Sequence, residues 1–357
     1  MVSPQLLWDW GTAYDMFISL DVLHQPADFD IRGSWAAGVR ARLCASEREV
    51  LEQVQSLGHL PFHWVYALPE PKDGATVLWA LGQISPAERL PALALAPDWP
   101  PADVADMLKD VAARKSWNEK DREALRVAYQ HASKRKGEKA PSPKKLTDIL
   151  DMWACVEEFG ERYLNVLRAY QKVFFAEEEK RIRPALQKAL SRAQELAERM
   201  ALPDLVEELS QGLRFDDLPE VAEVVLSPSY WCTPLMYFGK VNAERRIFLF
   251  GARPPDASLI PGEVVPDALL RALKALSDPT RLRILHYLTE EPLAPAQLAR
   301  RLRLRAPTVT HHLKTLRLAG LVQLTIGESK ETKHYAARSE AVAAAFVSLK
   351  GFLEKDG

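Results

Sequence analysis

The sequence predicts a mainly α chain of the α+β class. A long helical N-terminal region carries a small antiparallel β segment and is followed by a compact C-terminal module of short helices and a β-hairpin. Three observations predict this. Apolar residues recur at helical spacing almost everywhere before residue 213. Runs rich in β-branched and aromatic residues then occur at Val221–Ser227 and Arg246–Phe250, with Pro234 to Phe238 between them. After Pro254, Pro255, Pro261 and Pro266 the helical spacing resumes and ends in two short strands. The boundaries read as 1–212 for a helical regulatory or sensor domain, 213–262 for the β segment and Pro-rich connector, and 263–357 for the terminal module.

The elements follow in order. Gly11 to His24 places Tyr14, Phe17, Ile18 and Leu23 near one helical face, and Ser34–Leu43 and Glu47–Leu57 read as two short helices. Ser46 with Glu49 has capping-box spacing; Ser85-Pro86-Ala87-Glu88 repeats it with proline at the first helical position. Asn118 caps a helix through Tyr129. The basic, Pro-bearing run Ser133–Lys145 reads as an exposed loop with the capacity to touch phosphates. From Leu146 to Phe174 the spacing is helical again, with Gly160 and Pro184 expected to bend or divide the segment and Gly212 to stop it.

Composition narrows the function classes. The net charge of −1 is the sum of two unlike parts: residues 267–357 hold 15 Lys+Arg and 9 Asp+Glu, and the remainder 32 and 39. A basic end on an acidic body suits a nucleic-acid binder with a separate regulatory part. No run of about eighteen apolar residues spans a bilayer, and Met1–Trp10 lacks the pattern of a signal peptide, so the expected location is cytoplasmic. Cys44, Cys155 and Cys232 are far apart and read as small buried hydrophobes in a reducing compartment. No phosphate loop, nucleophile elbow or carboxylate–histidine motif proposes an enzyme, and no cofactor is implied.

The terminal module carries the functional signal. Leu269, Leu273 and Leu276 line a first helix. Ser277 or Asp278 caps a second, Pro279 opens it, and Leu282, Ile284, Leu285 and Leu288 are its expected buried residues. Ala296–Leu302 is a third helix. A fourth follows from Leu304 to Arg317, with Val309, Leu313 and Leu316 as its apolar stripe and Thr308, Thr310, His311 and Lys314 projecting outward. Gly320 ends it, and strands Leu321–Ile326 and Lys333–Ala336 flank a polar turn at Gly327–Glu331. Short helices followed by such a hairpin make a winged helix-turn-helix, in which one helix enters the major groove with hydrogen-bonding side chains toward base edges and cations toward phosphates.

Leu276-Ser277-Asp278-Pro279-Thr280-Arg281-Leu282-Arg283-Ile284-Leu285, Pro307-Thr308-Val309-Thr310-His311-His312-Leu313 and Leu318-Ala319-Gly320-Leu321-Val322 together resemble the ArsR/SmtB family of bacterial regulators. The resemblance covers roughly a quarter of the chain and implies a dimeric transcription regulator, usually a repressor, bound to double-stranded DNA. It implies a DNA-facing set of Thr308, Thr310, His311, Lys314 and Arg317, with Lys330 and Lys333 on the wing reaching the backbone. The candidate dimer interface is Leu269 and Leu273 with Val342, Phe346, Leu349 and Leu353 of the last helix. Two departures stand out: Arg305 occupies the recognition-helix cap where relatives have serine, and the wing carries Glu328 and Glu331. The family's metal sensing does not carry over, because Pro295–Arg300 lacks the cysteine cluster and Ser339–Leu353 has no histidine. More weakly, Asp9–Leu23 and Val224–Tyr230 are similar to a helical domain of unknown function found ahead of such modules.

His59 and His63 do not have helical metal spacing, since Pro61 lies between them. The nine tryptophans suit either a helical core or an apolar ligand pocket. The expected function is thus a homodimeric DNA-binding regulator, no enzyme, open to control by a small organic effector in the N-terminal domain. The alternatives are an enzyme or ligand-binding protein tethered to DNA, and an interaction module whose winged helix no longer binds DNA.

Overall fold

The computed structural model describes residues 4–29, 31–136, 141–215, 218, 221–326 and 333–354. The body opens with strand β1 (Gln5–Trp8) and helix α1 (Thr12–His24). Shorter helices follow: α2 (Gly33–Arg40), α3 (Ala45–Gln55), α4 (Phe62–Tyr66), α5 (Gly74–Gln83), α6 (Pro86–Ala94) and α7 (Ala102–Arg114). Next come α8 (Glu119–Lys136), α9 (Pro143–Ala154), α10 (Val156–Tyr170), α11 (Ala176–Ala197) and α12 (Leu202–Leu209). Strands β2 (Leu213–Phe215), β3 (Glu223–Ser229), β4 (Tyr237–Lys240) and β5 (Arg245–Gly251) precede the terminal module. That module contains α13 (Asp267–Leu276), α14 (Pro279–Glu290), α15 (Pro295–Leu302), α16 (Ala306–Leu318), β6 (Val322–Ile326), β7 (Lys333–Ala337) and α17 (Ser339–Glu354).

The mainly α class and the terminal helix–hairpin module match the sequence reading; the β segment is richer than expected. Its sheet order is β1-β3-β5-β4, with β4 antiparallel to β5 but β1, β3 and β5 parallel. The reason lies in β5: Ile247, Phe248, Leu249 and Phe250 are all buried, so this strand is covered on both faces and takes a central place rather than a hairpin edge. β1 was not expected; its four residues are too few to show a period. The sheet and the surrounding helices share one core, in which Val225, Trp231 and Leu249 pack with Tyr14, Trp153 and Leu167.

Helix ends differ from expectation in instructive ways. α3 is capped at Cys44, whose N–H donates to the Glu47 carboxylate at 2.7 Å, two residues before the Ser46–Glu49 pair. Cys44 and Cys155 are exposed rather than buried, each standing at a helix end, and Cys232 is buried as expected. α8 continues through Lys136, so the first part of the basic run is helix rather than loop; residues 137–140 lie outside the described set. Gly160 does not break α10. A Cβ there would meet the Pro86 carbonyl, so the glycine lets α10 approach α6. Pro184 sits within α11, and a π-helical turn at Gln171–Phe175 divides α10 from α11 instead. α12 does stop where expected. Gln211 (φ 56°) and Gly212 (φ 98°) take left-handed conformations, with Gly212 N–H on Glu207 O and Gln211 N–H on Glu208 O.

Candidate nucleic-acid interface

Local chemistry sets each helix of the module. Asp278 caps α14 by accepting the Arg281 N–H at 2.9 Å, with Pro279 following. Ile284, Leu285 and Leu288 are buried as expected, whereas Leu282 is 48% exposed: it lies on the far side of α14 from the core. Arg303 turns the chain between α15 and α16 in a left-handed conformation. Arg305 is the N-cap of α16 and its side chain makes no capping bond. Val309, Leu313 and Leu316 are fully buried among Leu298, Leu302 and Val322. β7 reaches back to Leu293, with N–H to O bonds of 2.9 and 3.0 Å between Leu293 and Tyr335, so the hairpin is tied to the segment before α15.

This packing fixes where the candidate side chains go. Thr308, Thr310, His311 and Lys314 are exposed on α16. The Thr310 hydroxyl donates to Ala306 O at 3.0 Å, which leaves its lone pairs to accept. His312 turns to the module's own surface near Asp278, and burial lowers its pKa below the ordinary histidine value. Lys333 is half-buried at the start of β7, and Lys330 lies outside the described residues. Arg300, Arg303 and Arg305 are not among the DNA-facing residues expected from the sequence, where Arg305 stands only as a departure at the helix cap. All three are exposed around the α15–α16 turn without a side-chain partner among the described residues. Their proximity to the N-terminal half of α16 is written in the sequence, but periodicity does not show it.

Arg317 is a correction. It continues the Thr310–Lys314 stripe of α16, yet it is only 8% exposed. Its guanidinium donates to Ser210 O at 2.7 Å and Gln211 O at 3.1 Å, at the end of α12. Burial and nearby Arg338 pull its pKa down to about 10. Arg317 therefore joins the module to the body and offers nothing to a duplex in this arrangement. Lys314, one turn earlier, lines a cleft of about 300 Å³ whose other wall includes Asp21, Gln25, Phe29, Met236 and Tyr237 of the body. Tyr237 Oη donates to Asp21 at 2.8 Å.

Leu269 is a second correction: at 3% exposure it is spent inside the chain and has no surface for a partner. Leu273, Val342 and Leu349 are half-buried, while Phe346 and Leu353 are 58% and 69% exposed. No residue of α17 is buried, although it packs against α13.

The body also contains a buried polar network. Asp15 accepts Ser229 Oγ at 2.6 Å, Trp231 N–H at 2.9 Å and Tyr230 N–H at 3.2 Å; burial pushes its pKa up to about 7. Trp231 Nε1 donates to Glu178, Glu178 pairs with Arg181, and Arg181 donates to Tyr230 Oη at 3.0 Å. Tyr230 Oη bonds to Ser258 O, and Asp267 at the start of α13 accepts Ser258 Oγ and Leu259 N–H at 2.8 Å each. His59 and His63 each donate an Nε2–H to a carbonyl, of Leu93 and Ala92 respectively, and burial lowers both pKa values, His59 to about 4. Among the described residues no group of three or more His, Cys, Asp and Glu is arranged to hold a metal. The opening among Trp99, Tyr129 and Trp153 is about 10 Å³, room for a water at most. No helix among the described residues is long and apolar enough to cross a membrane.

Three helices, an exposed polar face on the last of them and a tethered hairpin define a DNA-binding winged helix-turn-helix. A family model described as a helix-turn-helix domain matches residues 276–325. The HTH-type transcriptional regulator CmtR of Mycobacterium tuberculosis (strain ATCC 25618 / H37Rv) is 40% identical over 82 residues, 23% of this chain and 69% of CmtR. CmtR of Mycobacterium bovis gives the same figures. The HTH-type transcriptional regulator Rv2034 of Mycobacterium tuberculosis is 48% identical over 52 residues, 15% of this chain and 49% of that protein. No solved structure matches. The chain belongs to the ArsR/SmtB family of HTH-type transcription regulators.

Proposed function

We propose that the protein is a homodimeric repressor, not an enzyme, that reads a two-fold DNA site with one α16 in each half-site. The observation that carries this is the N-terminal half of α16: Thr308, Thr310 and His311 are exposed beside Arg300, Arg303 and Arg305, none of which has a side-chain partner among the described residues. Short hydrogen-bonding groups suit base edges, and the arginines suit phosphates. They compensate for the acidic wing. Lys314, Lys330 and Lys333 are further phosphate contacts in this reading. The dimer is built on α17 through Phe346, Leu349 and Leu353, with Val342 and Leu273 at its margin.

The body supplies control. An organic effector of small-ligand size suits the 300 Å³ cleft beside Lys314 better than the body's interior near Trp99 and Trp153. Its walls combine apolar Phe29, Met236 and Leu318 with polar Asp21, Gln25 and Tyr237.

Titration of labelled duplex with the full chain at several salt concentrations tests the DNA reading. Arg303→Ala and Arg305→Ala are each expected to reduce the slope of log affinity against log salt by about one and to weaken all sequences alike. Thr310→Ala or His311→Ala is expected to relax sequence preference by about 1–3 kcal/mol per lost base contact. Unchanged salt slopes and unchanged preference in all four variants would remove α16 as the reading element.

A further inference from the structure

Three contacts between body and winged helix fall on the parts of the module that would meet DNA. The first is Arg317. α12 ends in left-handed residues, and the carbonyls of Ser210 and Gln211 project past its last turn. Such carbonyls have no partner in the helix and sit at its negative end. Arg317 fills both with one guanidinium. The second is strand addition. β2 lies parallel to wing strand β6 in the register Leu213↔Leu324, Arg214↔Thr325 and Phe215↔Ile326, with Leu324 N–H on Gly212 O at 2.7 Å. Gly212 permits this approach: a Cβ there would stand 2.8 Å from Arg338 Cδ and 3.2 Å from Gln323 Cα. Leu324 and Ile326 also pack on the body's Phe215 cluster, and Phe215 stacks edge-on with Phe238 and Phe248. The third is the cleft, where Lys314 faces the wall that contains Asp21 and Tyr237.

A duplex needs far more room than this cleft. The major groove is about 12 Å wide and is bordered by a phosphate backbone on each side. The first turns of α16 are open, but the Lys314–Arg317 end is closed by the body. Charge acts in the same sense: residues 267–357 are net basic and the remainder net acidic, so the body and a DNA polyanion attract the same module. From these contacts, and resting on the DNA-binding reading above, we propose that the arrangement described here is a closed, low-affinity state in which the body is docked on the C-terminal half of the recognition helix. Arg317 is its latch. It is a positioning residue that acts through α12 and never touches DNA. A ligand in the Lys314 cleft touches both sides of the seam, and one that fits the closed arrangement better than the open one, or the reverse, shifts this equilibrium.

With the latch removed, loss of a positive charge from the recognition helix strengthens DNA binding. The full chain is compared with Arg317→Ala, Arg317→Lys and Arg214→Pro, all by anisotropy on one duplex at one salt concentration, with thermal melts to show that each is folded. Arg214→Pro breaks β2 from the body side and changes no residue of the winged helix. Arg317→Ala and Arg214→Pro are each expected to bind about tenfold more tightly, within the span of about 5- to 150-fold typical of coupled sites. Arg317→Lys keeps a cation for one of the two carbonyls and is expected to fall between wild type and Arg317→Ala. A folded Arg317→Ala or Arg214→Pro that binds with equal or weaker affinity overturns the closed state. If Arg317→Ala fails to fold, Arg214→Pro decides alone. If neither wild type nor any variant shows salt-sensitive DNA binding, the DNA reading itself fails and the latch falls with it. If wild type binds well and the variants do not differ from it, only the latch fails.

Discussion

Helices α1 and α17 are both rich in apolar residues, and they have opposite fates. α1 buries 11 of its 13 residues, including Asp15 and Ser19. α17 buries none of its 16. The difference comes from their surroundings. α1 leaves β1 and runs through the middle of the body, where strand β3 and helices α2, α3, α4, α5 and α11 enclose it. α17 closes the module on one side only, against α13, and leaves Phe346, Val347 and Leu353 in solvent. α1 is complete within one chain; in the proposed dimer, α17 is half of a contact.

Substitutions separate these two situations sharply. Ile18→Ala in α1 is expected to cost about 2–5 kcal/mol of folding free energy, since the side chain is fully buried and its loss leaves a cavity. Phe346→Ala is expected to change monomer stability by about 0.5 kcal/mol or less. The double variant Phe346→Glu/Leu353→Glu is instead expected to sediment as a folded monomer where wild type is a dimer at micromolar concentration. A wild type that is monomeric with and without DNA would leave α17's exposed face without its proposed partner.

The second difference is electrostatic. Asp15 has a folded pKa of about 7, above its ordinary 3.8. Between those values the native protein holds a proton that the unfolded chain has released. The contribution is therefore full below pH 4 and is lost as pH rises through 7. His59 runs the other way: its pKa falls from 6.5 to about 4, so its contribution is full above 6.5 and is lost as pH falls toward 4. The two oppose each other between pH 4 and 6.5, and the total profile hides both. Asp15→Asn exposes one of them. Between pH 5 and 7.5, wild type is expected to lose about 3 kcal/mol relative to the variant in urea unfolding. A difference that stays flat with pH would mean that Asp15 is charged in the native state throughout.

The two regions also differ in how far the sequence reveals them. The winged helix is legible because its determinants are local. Asp278 before Pro279, the stripe Val309–Leu313–Leu316 and Gly320 each announce an element within a few residues, and each is found where expected. The body depends on pairings between distant segments. β1 meets β3 across more than 200 residues, and Asp15 finds its donors at Ser229, Tyr230 and Trp231. Residue patterns reveal neither. Arg317 shows the limit at the site itself: helical periodicity correctly groups it with Thr310 and Lys314, but only the fold reveals that α12 covers the end of that stripe.

The smallest expected effect is a null. Pro295–Arg300 and α17 lack the cysteine and histidine sets of metal-sensing relatives. Stoichiometric zinc, cadmium or arsenite is expected to leave DNA affinity within about twofold, well below the typical fivefold or greater shift of a coupled effector. A tight stoichiometric metal that releases the protein from DNA would place a sensor where neither the sequence nor the described fold suggests one.

In the proposed dimer the two α16 helices read a two-fold DNA site. Selection of duplexes from a random library by the full chain, followed by sequencing, tests it most directly. The expected result is an enriched inverted repeat, its half-sites about one helical turn apart or a multiple of that, whose preference collapses in His311→Ala. Enrichment of no sequence, or of a site equally preferred by His311→Ala and Thr310→Ala, would contradict it.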